Sequence, residues 1–106
     1  MTESPNKRRA MLEKLIARGT DDPFVRYARA LELRSEGQLE QALEALGEVR
    51  QLHPRYVPTF LMAGQIAIEL ESIDAARQWL EDGIVVASEE GDAHAESELK
   101  QALGQL

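Results

Sequence analysis

Few side chains in this sequence could carry out chemistry, and their spacing does not bring them together. The chain has no cysteine, and its two histidines, His53 and His94, lie far apart. Zinc ligands on one helix recur at a fixed spacing such as H-E-x-x-H, and neither histidine belongs to such a pattern. The sequence also lacks a glycine-rich phosphate loop and any pairing of histidine with a serine nucleophile. We therefore expect neither a metal nor another cofactor, and we expect no enzyme activity.

Charge is spread unevenly along the chain. The formal net charge of −7 divides into +3 over residues 1–20, −2 over residues 21–56 and −8 over residues 57–106. An acidic protein repels a phosphate backbone, so we expect neither nucleic acid nor a membrane as the partner. The basic N-terminal helix is the exception, since Lys7, Arg8 and Arg9 leave open an accessory contact with nucleic acid or anionic lipid.

Size and composition predict one small domain over residues 1–106. Hydrophobic residues make up 43% of the chain and charged residues 29%, which suits a globular domain with one modest core. No apolar run approaches the roughly 18 residues that would span a bilayer. The N-terminal stretch lacks the apolar centre of a secretory signal, so we expect a cytoplasmic protein.

Apolar residues recur at spacings of three and four, which predicts helices and no strands. The pairs Ser4-Pro5 and Asp22-Pro23 predict helix starts, because the first residue caps the helix and proline suits its first turn. Gly37 and His53-Pro54 are predicted helix ends. The whole pattern predicts an all-α fold of about six helices joined by short connections.

Two successive blocks, 23–56 and 57–90, repeat one pattern of small and large apolar residues. Small residues let the two helices of a hairpin approach closely, and leucines then fill the space between hairpins. One hairpin cannot bury its apolar face alone, so we expect the hairpins to stack. The matched positions are Ala30 with Gly64, Ala42 with Ala76, and Leu46 with Leu80.

This pattern resembles the tetratricopeptide repeat family, whose repeats are helical hairpins with small and bulky apolar residues at fixed positions. The resemblance implies an α-solenoid of stacked antiparallel helical hairpins. It departs from the family at Arg26 and Arg29, where bulky apolar residues are usual, and at Glu71, where glycine is common. The implied units are a half repeat at 4–19, repeats at 23–56 and 57–90, and a capping helix at 91–106.

The resemblance also implies a protein–protein interaction module with a concave groove, lined by the first helix of each hairpin. Apolar and hydrogen-bonding side chains alternate there, which suits an extended peptide or an amphipathic helix. One alternative stays open: the N-terminal helix or a second copy of the chain covers this surface, and the protein is a self-associating structural unit. The groove positions carried over to this sequence include Phe24, Tyr27, Leu31, Arg34, Leu61, Gln65 and Ile68, and Tyr56 lies at the junction of the two repeats.

Some members of this family clamp the carboxylate-ended tails of chaperones with basic side chains at defined groove positions. The corresponding residues here include Tyr27, Leu31 and Met62, and none of them is basic. We therefore expect no chaperone-tail clamp in this protein.

Overall fold

The computed structural model describes the backbone of residues 5–106 and the side chains of residues 7–106. All regular secondary structure in that part of the chain is helical, which confirms the predicted all-α fold. None of these helices is both long and apolar enough to cross a bilayer. The proposed cap at Ser4 lies outside the described residues. The six helices are α1 (Pro5–Ala17), α2 (Pro23–Ser35), α3 (Leu39–Leu52), α4 (Pro58–Glu69), α5 (Ile73–Glu89) and α6 (Ala93–Gly104).

Aspartate side chains cap two of the helices. The Asp22 carboxylate accepts a hydrogen bond from the backbone N–H of Phe24 at 2.9 Å, and Pro23 occupies the first helical turn. This confirms the start predicted from the sequence. Asp92 caps α6 in the same way, since its carboxylate accepts from the backbone N–H of Ala95 at 3.0 Å. Each cap satisfies a backbone donor that the helix itself leaves unpaired.

The core runs through the stack as two neighbouring apolar clusters. Each helix packs against the next one along the chain, and α4 also contacts α6. Trp79 on α5 packs against both clusters and so joins them. The first cluster lies between α2, α3 and α4 and contains Ala30, Leu33, Ala42, Ala45, Leu46, Ala63 and Ile66. The second lies between α4, α5 and α6 and contains Phe60, Leu80, Ala87 and Leu99.

Two glycines set how closely α4, α5 and α6 approach one another. A Cβ atom on Gly64 would lie 2.6 Å from Cδ2 of Leu80, and one on Gly83 would lie 2.5 Å from Cβ of Phe60. A side chain at Gly83 would also meet Cδ2 of Leu99 at 3.0 Å. At Gly64 the obstructing atoms belong to the end of the Leu80 side chain, which would have to shift. At Gly83 the obstructing atom is Cβ of Phe60, which moves only with its backbone, so glycine is required there for the observed packing.

An arginine from the neighbouring hairpin packs against the aromatic side chains of the second cluster. The guanidinium carbon of Arg50 lies 5.3 Å from the ring centroids of both Phe60 and Trp79. One of its terminal nitrogens lies 2.9 Å from a carboxylate oxygen of Asp82. Cation–π attraction and this ion pair together hold α3 against α4 and α5.

Ion pairs hold α1 against α2. Nε of Arg9 lies 2.8 Å from Oε2 of Glu36, and Nε of Arg29 lies 2.9 Å from Oε2 of Glu13. The hydrogen bond from Arg29 is the largest of the effects that lower the pKa of the Glu13 carboxyl below its usual value. The polar residue that departs from the family pattern at position 29 therefore has a partner on the preceding helix.

The turn after α4 has a residue other than glycine in the left-handed conformation. The corresponding turn after α2 places Gly37 in the left-handed region at φ 80°, whereas Glu71 occupies that conformation after α4 at φ 60°. A residue with a Cβ atom is strained there by contact with its own carbonyl group.

Replacing Glu71 with glycine should therefore stabilise the protein. We expect the free energy of unfolding to rise by about 0.5–1 kcal/mol, since relief of left-handed strain exceeds the entropic cost of glycine. Urea unfolding followed by circular dichroism measures the change. Glu81→Gly, at an exposed position in the middle of α5, is the matched control and should lose about 1 kcal/mol. Equal destabilisation by both changes would show that residue 71 is not strained.

Candidate binding groove

A cavity of about 300 Å³ opens between α2, α4 and α6. Apolar side chains from all three helices form most of its wall, and polar groups from α6 form its rim. We call this space the groove cavity. Its lining residues are Tyr27, Val57, Pro58, Leu61, Met62, Asp92, His94, Ala95, Glu98 and Leu99.

Two of the residues carried over from the family pattern line the groove cavity, namely Tyr27 on α2 and Leu61 on α4. Tyr56 stands beside them: its ring packs edge-on against the ring of Tyr27, with centroids 5.8 Å apart and an interplanar angle of 69°. Phe24 lies on the preceding turn of α2 and is 56% exposed. These four side chains place aromatic and aliphatic surface at one end of the groove.

The other predicted positions lie on α2 and α4 outside the lining of the cavity. Leu31, Gln65 and Ile68 are partly buried on these helices. Arg34 is already engaged, since it forms an ion pair with Glu69 and its Nη1 lies 3.0 Å from the Met62 sulfur. Arg34 therefore ties α2 to α4, and its predicted contact with a ligand would compete with that ion pair.

Sequence reasoning missed the contribution of α6, which it treated only as a cap. His94, Ala95 and Glu98 form one side of the cavity, and the buried Leu99 reaches it from the core. Nε2 of His94 lies 3.3 Å from Oε1 of Glu98, one helical turn away. The repeat pattern could have predicted this contribution. A helix that follows the second hairpin occupies the position of a first helix, as α2 and α4 do, and so lies beside them along the groove.

Burial and nearby charge affect both tyrosines. Burial raises the pKa of the Tyr27 hydroxyl, and the opposing charge of Arg34 offsets part of that rise. Burial is also the largest cause that raises the pKa of Tyr56, followed by Tyr27 and the carboxylate of Asp22. Asp22 caps α2 beside Phe24 and so places an acidic group at this end of the groove.

The N-terminal helix lies against a different face of α2. Its ion pairs reach Arg29 and Glu36, whereas Tyr27 faces the cavity. Within the described residues, α1 contributes no side chain to the lining of the groove cavity. From residue 7 onward, the exposed side chains of α1 are basic or apolar, and Met11 is 62% exposed.

Across residues 7–106, no group of three or more His, Cys, Asp or Glu side chains is arranged to hold a metal ion. The polar groups of the groove cavity can instead donate and accept hydrogen bonds at the edge of an apolar surface. That combination is typical of sites that bind a peptide or a small molecule by burying apolar groups.

A family model described as tetratricopeptide repeat matches residues 33–106. A TPR repeat-containing protein of Pseudomonas aeruginosa is 30% identical over 95 residues, which cover 90% of this chain and 90% of that protein.

Solved structures show the same architecture. The solution NMR structure of a tetratricopeptide repeat domain protein from Salinibacter ruber has a TM-score of 0.77 and 36% identity, covering 79% of this chain and 85% of that one. The solution structure of a protein from Bordetella parapertussis has a TM-score of 0.79 and 25% identity, covering 99% of this chain and 88% of that one. The second likeness extends the shared fold to the helices that precede residue 33.

The two tyrosines should ionise above the value of about 10 that is usual for a free side chain. Because burial favours the neutral form in the folded state, the folded protein should lose stability as the pH rises through about 10. Ultraviolet difference absorbance during alkaline titration measures the tyrosinate formed, and the urea-unfolded chain is the reference. Tyr27→Phe leaves Tyr56 as the sole signal. If the tyrosines of the folded protein ionise at the same pH as those of the urea-unfolded chain, the burial of these side chains is contradicted.

Proposed function

The chain belongs to the tetratricopeptide repeat family, and on that premise we propose that it is a non-catalytic module that binds a segment of another protein. Domains of this family generally mediate protein–protein interactions. The proposed segment is an extended peptide or a helix that inserts apolar side chains into the groove cavity. Tyr27 and Leu61 would contact it directly, with Phe24 and Tyr56 extending the surface.

The observation that carries this proposal is an apolar cavity built by three different helices. Tyr27, Leu61 and Leu99 reach it from α2, α4 and α6. A concave apolar site with polar groups at its edge buries much of a ligand's surface and orients it. An amphipathic segment supplies both the apolar side chains and the polar groups that such a site requires.

The position of α1 favours this reading over a groove covered by the chain's own N-terminal helix. In the described part of the molecule, α1 forms ion pairs with Arg29 on α2 and with Glu36, which directly follows α2. That position supports our assignment of residues 4–19 as the second half of a degenerate repeat. The proposed organisation is completed by repeats at 23–56 and 57–90 and by a terminal helix at 91–106, which also serves as a groove wall.

Leu61→Glu should weaken peptide binding, because it places a charge in the apolar wall of the cavity. Peptides selected from a random library on the wild-type protein are measured by calorimetry against both proteins. We expect affinity to fall at least about tenfold, a loss of roughly 1.4 kcal/mol. Val85→Glu is the matched control, since Val85 lies on α5 and is 56% exposed. It should bind like the wild type.

Circular dichroism establishes that both glutamate variants remain folded. Equal binding by the wild type and folded Leu61→Glu would contradict the proposed site. Failure of the library to yield any peptide whose binding depends on Leu61 would contradict the proposed function.

A further inference from the structure

We propose that the groove selects a cationic segment: a peptide or helix of another protein that inserts an apolar side chain and carries Lys or Arg beside it. This inference rests on the proposed function and specifies the chemistry of its partner. The preference for a cationic partner follows from the carboxylates at the cavity and from the ion pairs that neutralise the neighbouring Arg and Lys side chains.

The lining of the groove cavity contains acids and no Lys or Arg. Asp92 and Glu98 both belong to it, and His94 is its remaining titratable base. Asp22 stands at the adjoining aromatic end, where its carboxylate caps α2 and accepts the backbone N–H of Phe24 at 2.9 Å. A segment lying along the groove would therefore meet carboxylates at two places on its path.

Three cations on the elements that adjoin this surface are paired with other acids. Arg34 pairs with Glu69, and Arg55 pairs with Glu90. On α6, Nζ of Lys100 lies 2.9 Å from Oε2 of Glu96. Neither Asp92 nor Asp22 has a Lys or Arg partner among the described residues. The net charge of −8 over residues 57–106 adds to the negative potential on this side of the molecule.

The position of Asp92 is fixed by its role as a cap. Oδ1 of Asp92 accepts the hydrogen bond from Ala95, which holds the carboxylate at the start of α6. Its second oxygen has no hydrogen bond from the described residues and remains available to a donor. A Lys or Arg side chain beside the inserted apolar group satisfies this oxygen, whereas a Glu at that place is repelled.

Three synthetic peptides test the inference. Each has about 12 residues, roughly three helical turns, with the same leucines on one face and with Lys, Gln or Glu at every flanking position. Fluorescence anisotropy measures binding to the wild type at low and high salt. We expect affinity to fall in the order Lys, Gln, Glu, and we expect salt to weaken only the Lys peptide strongly.

Replacing Asp92 or Glu98 with the matching neutral amide tests whether these two acids cause the preference for the Lys peptide. Glu98→Gln and Asp92→Asn should each weaken the Lys peptide about two- to fivefold and leave the Gln peptide unchanged. Asparagine is an equally good helix cap, so Asp92→Asn retains the fold. Glu81→Gln, on the exposed face of α5, is the control of equal charge change and should bind the Lys peptide like the wild type.

The outcomes separate this inference from the proposed function. Tighter or equal binding of the Glu peptide, or no effect of either replacement, overturns the charge preference. If Leu61→Glu nevertheless weakens the binding of the peptides to the groove, the proposed function stands and only the charge preference is wrong. Absence of Leu61-dependent binding by all three peptides overturns both. Light scattering that shows a dimer lost in Leu61→Glu also overturns the inference, because a second copy then occupies the groove.

Discussion

The close approach of α4 to α5, with α6 packed against the same point, is the constraint on which the rest of the structure depends. It is possible because residue 83 has no side chain. The β-carbon of Phe60 fills the space that a Cβ at Gly83 would need, and Leu99 closes the same contact from α6. A helix interior normally loses stability when it contains glycine. Here that loss is offset by burial of Phe60, Leu80 and Leu99 in one cluster.

Packing at this contact extends to the surface through Leu99. This side chain is 1% exposed in the core and also lines the groove cavity. The position of α6 in the core therefore fixes where Asp92, His94 and Glu98 stand on the opposite side. The docking of α6 adds the acidic rim and part of the apolar wall to the surface that α2 and α4 supply, which explains why the groove extends beyond the two central repeats.

The sequence was sufficient to predict the helices, their approximate number and the family, because caps, glycine corners and the repeat are local signals. It also identified Tyr27 and Leu61, whose positions in the repeat determine the face they occupy. It did not predict the role of α6 in the groove, which depends on tertiary packing across Gly83. Nor did it predict that Arg34 pairs with Glu69 or that Arg50 packs on Phe60 and Trp79, because such contacts depend on rotamers and helix positions that periodicity does not specify.

The unfolding free energy of Gly83→Ala, compared with that of Gly47→Ala, tests the central constraint most directly. Both glycines lie within helices, but a Cβ at Gly47 would meet nothing within 4 Å. Gly47→Ala should gain about 0.5–1 kcal/mol from better helix propensity. Gly83→Ala should lose roughly 1–3 kcal/mol, because the added methyl group displaces Phe60 or Leu99. A gain at Gly83 equal to that at Gly47 would contradict the account.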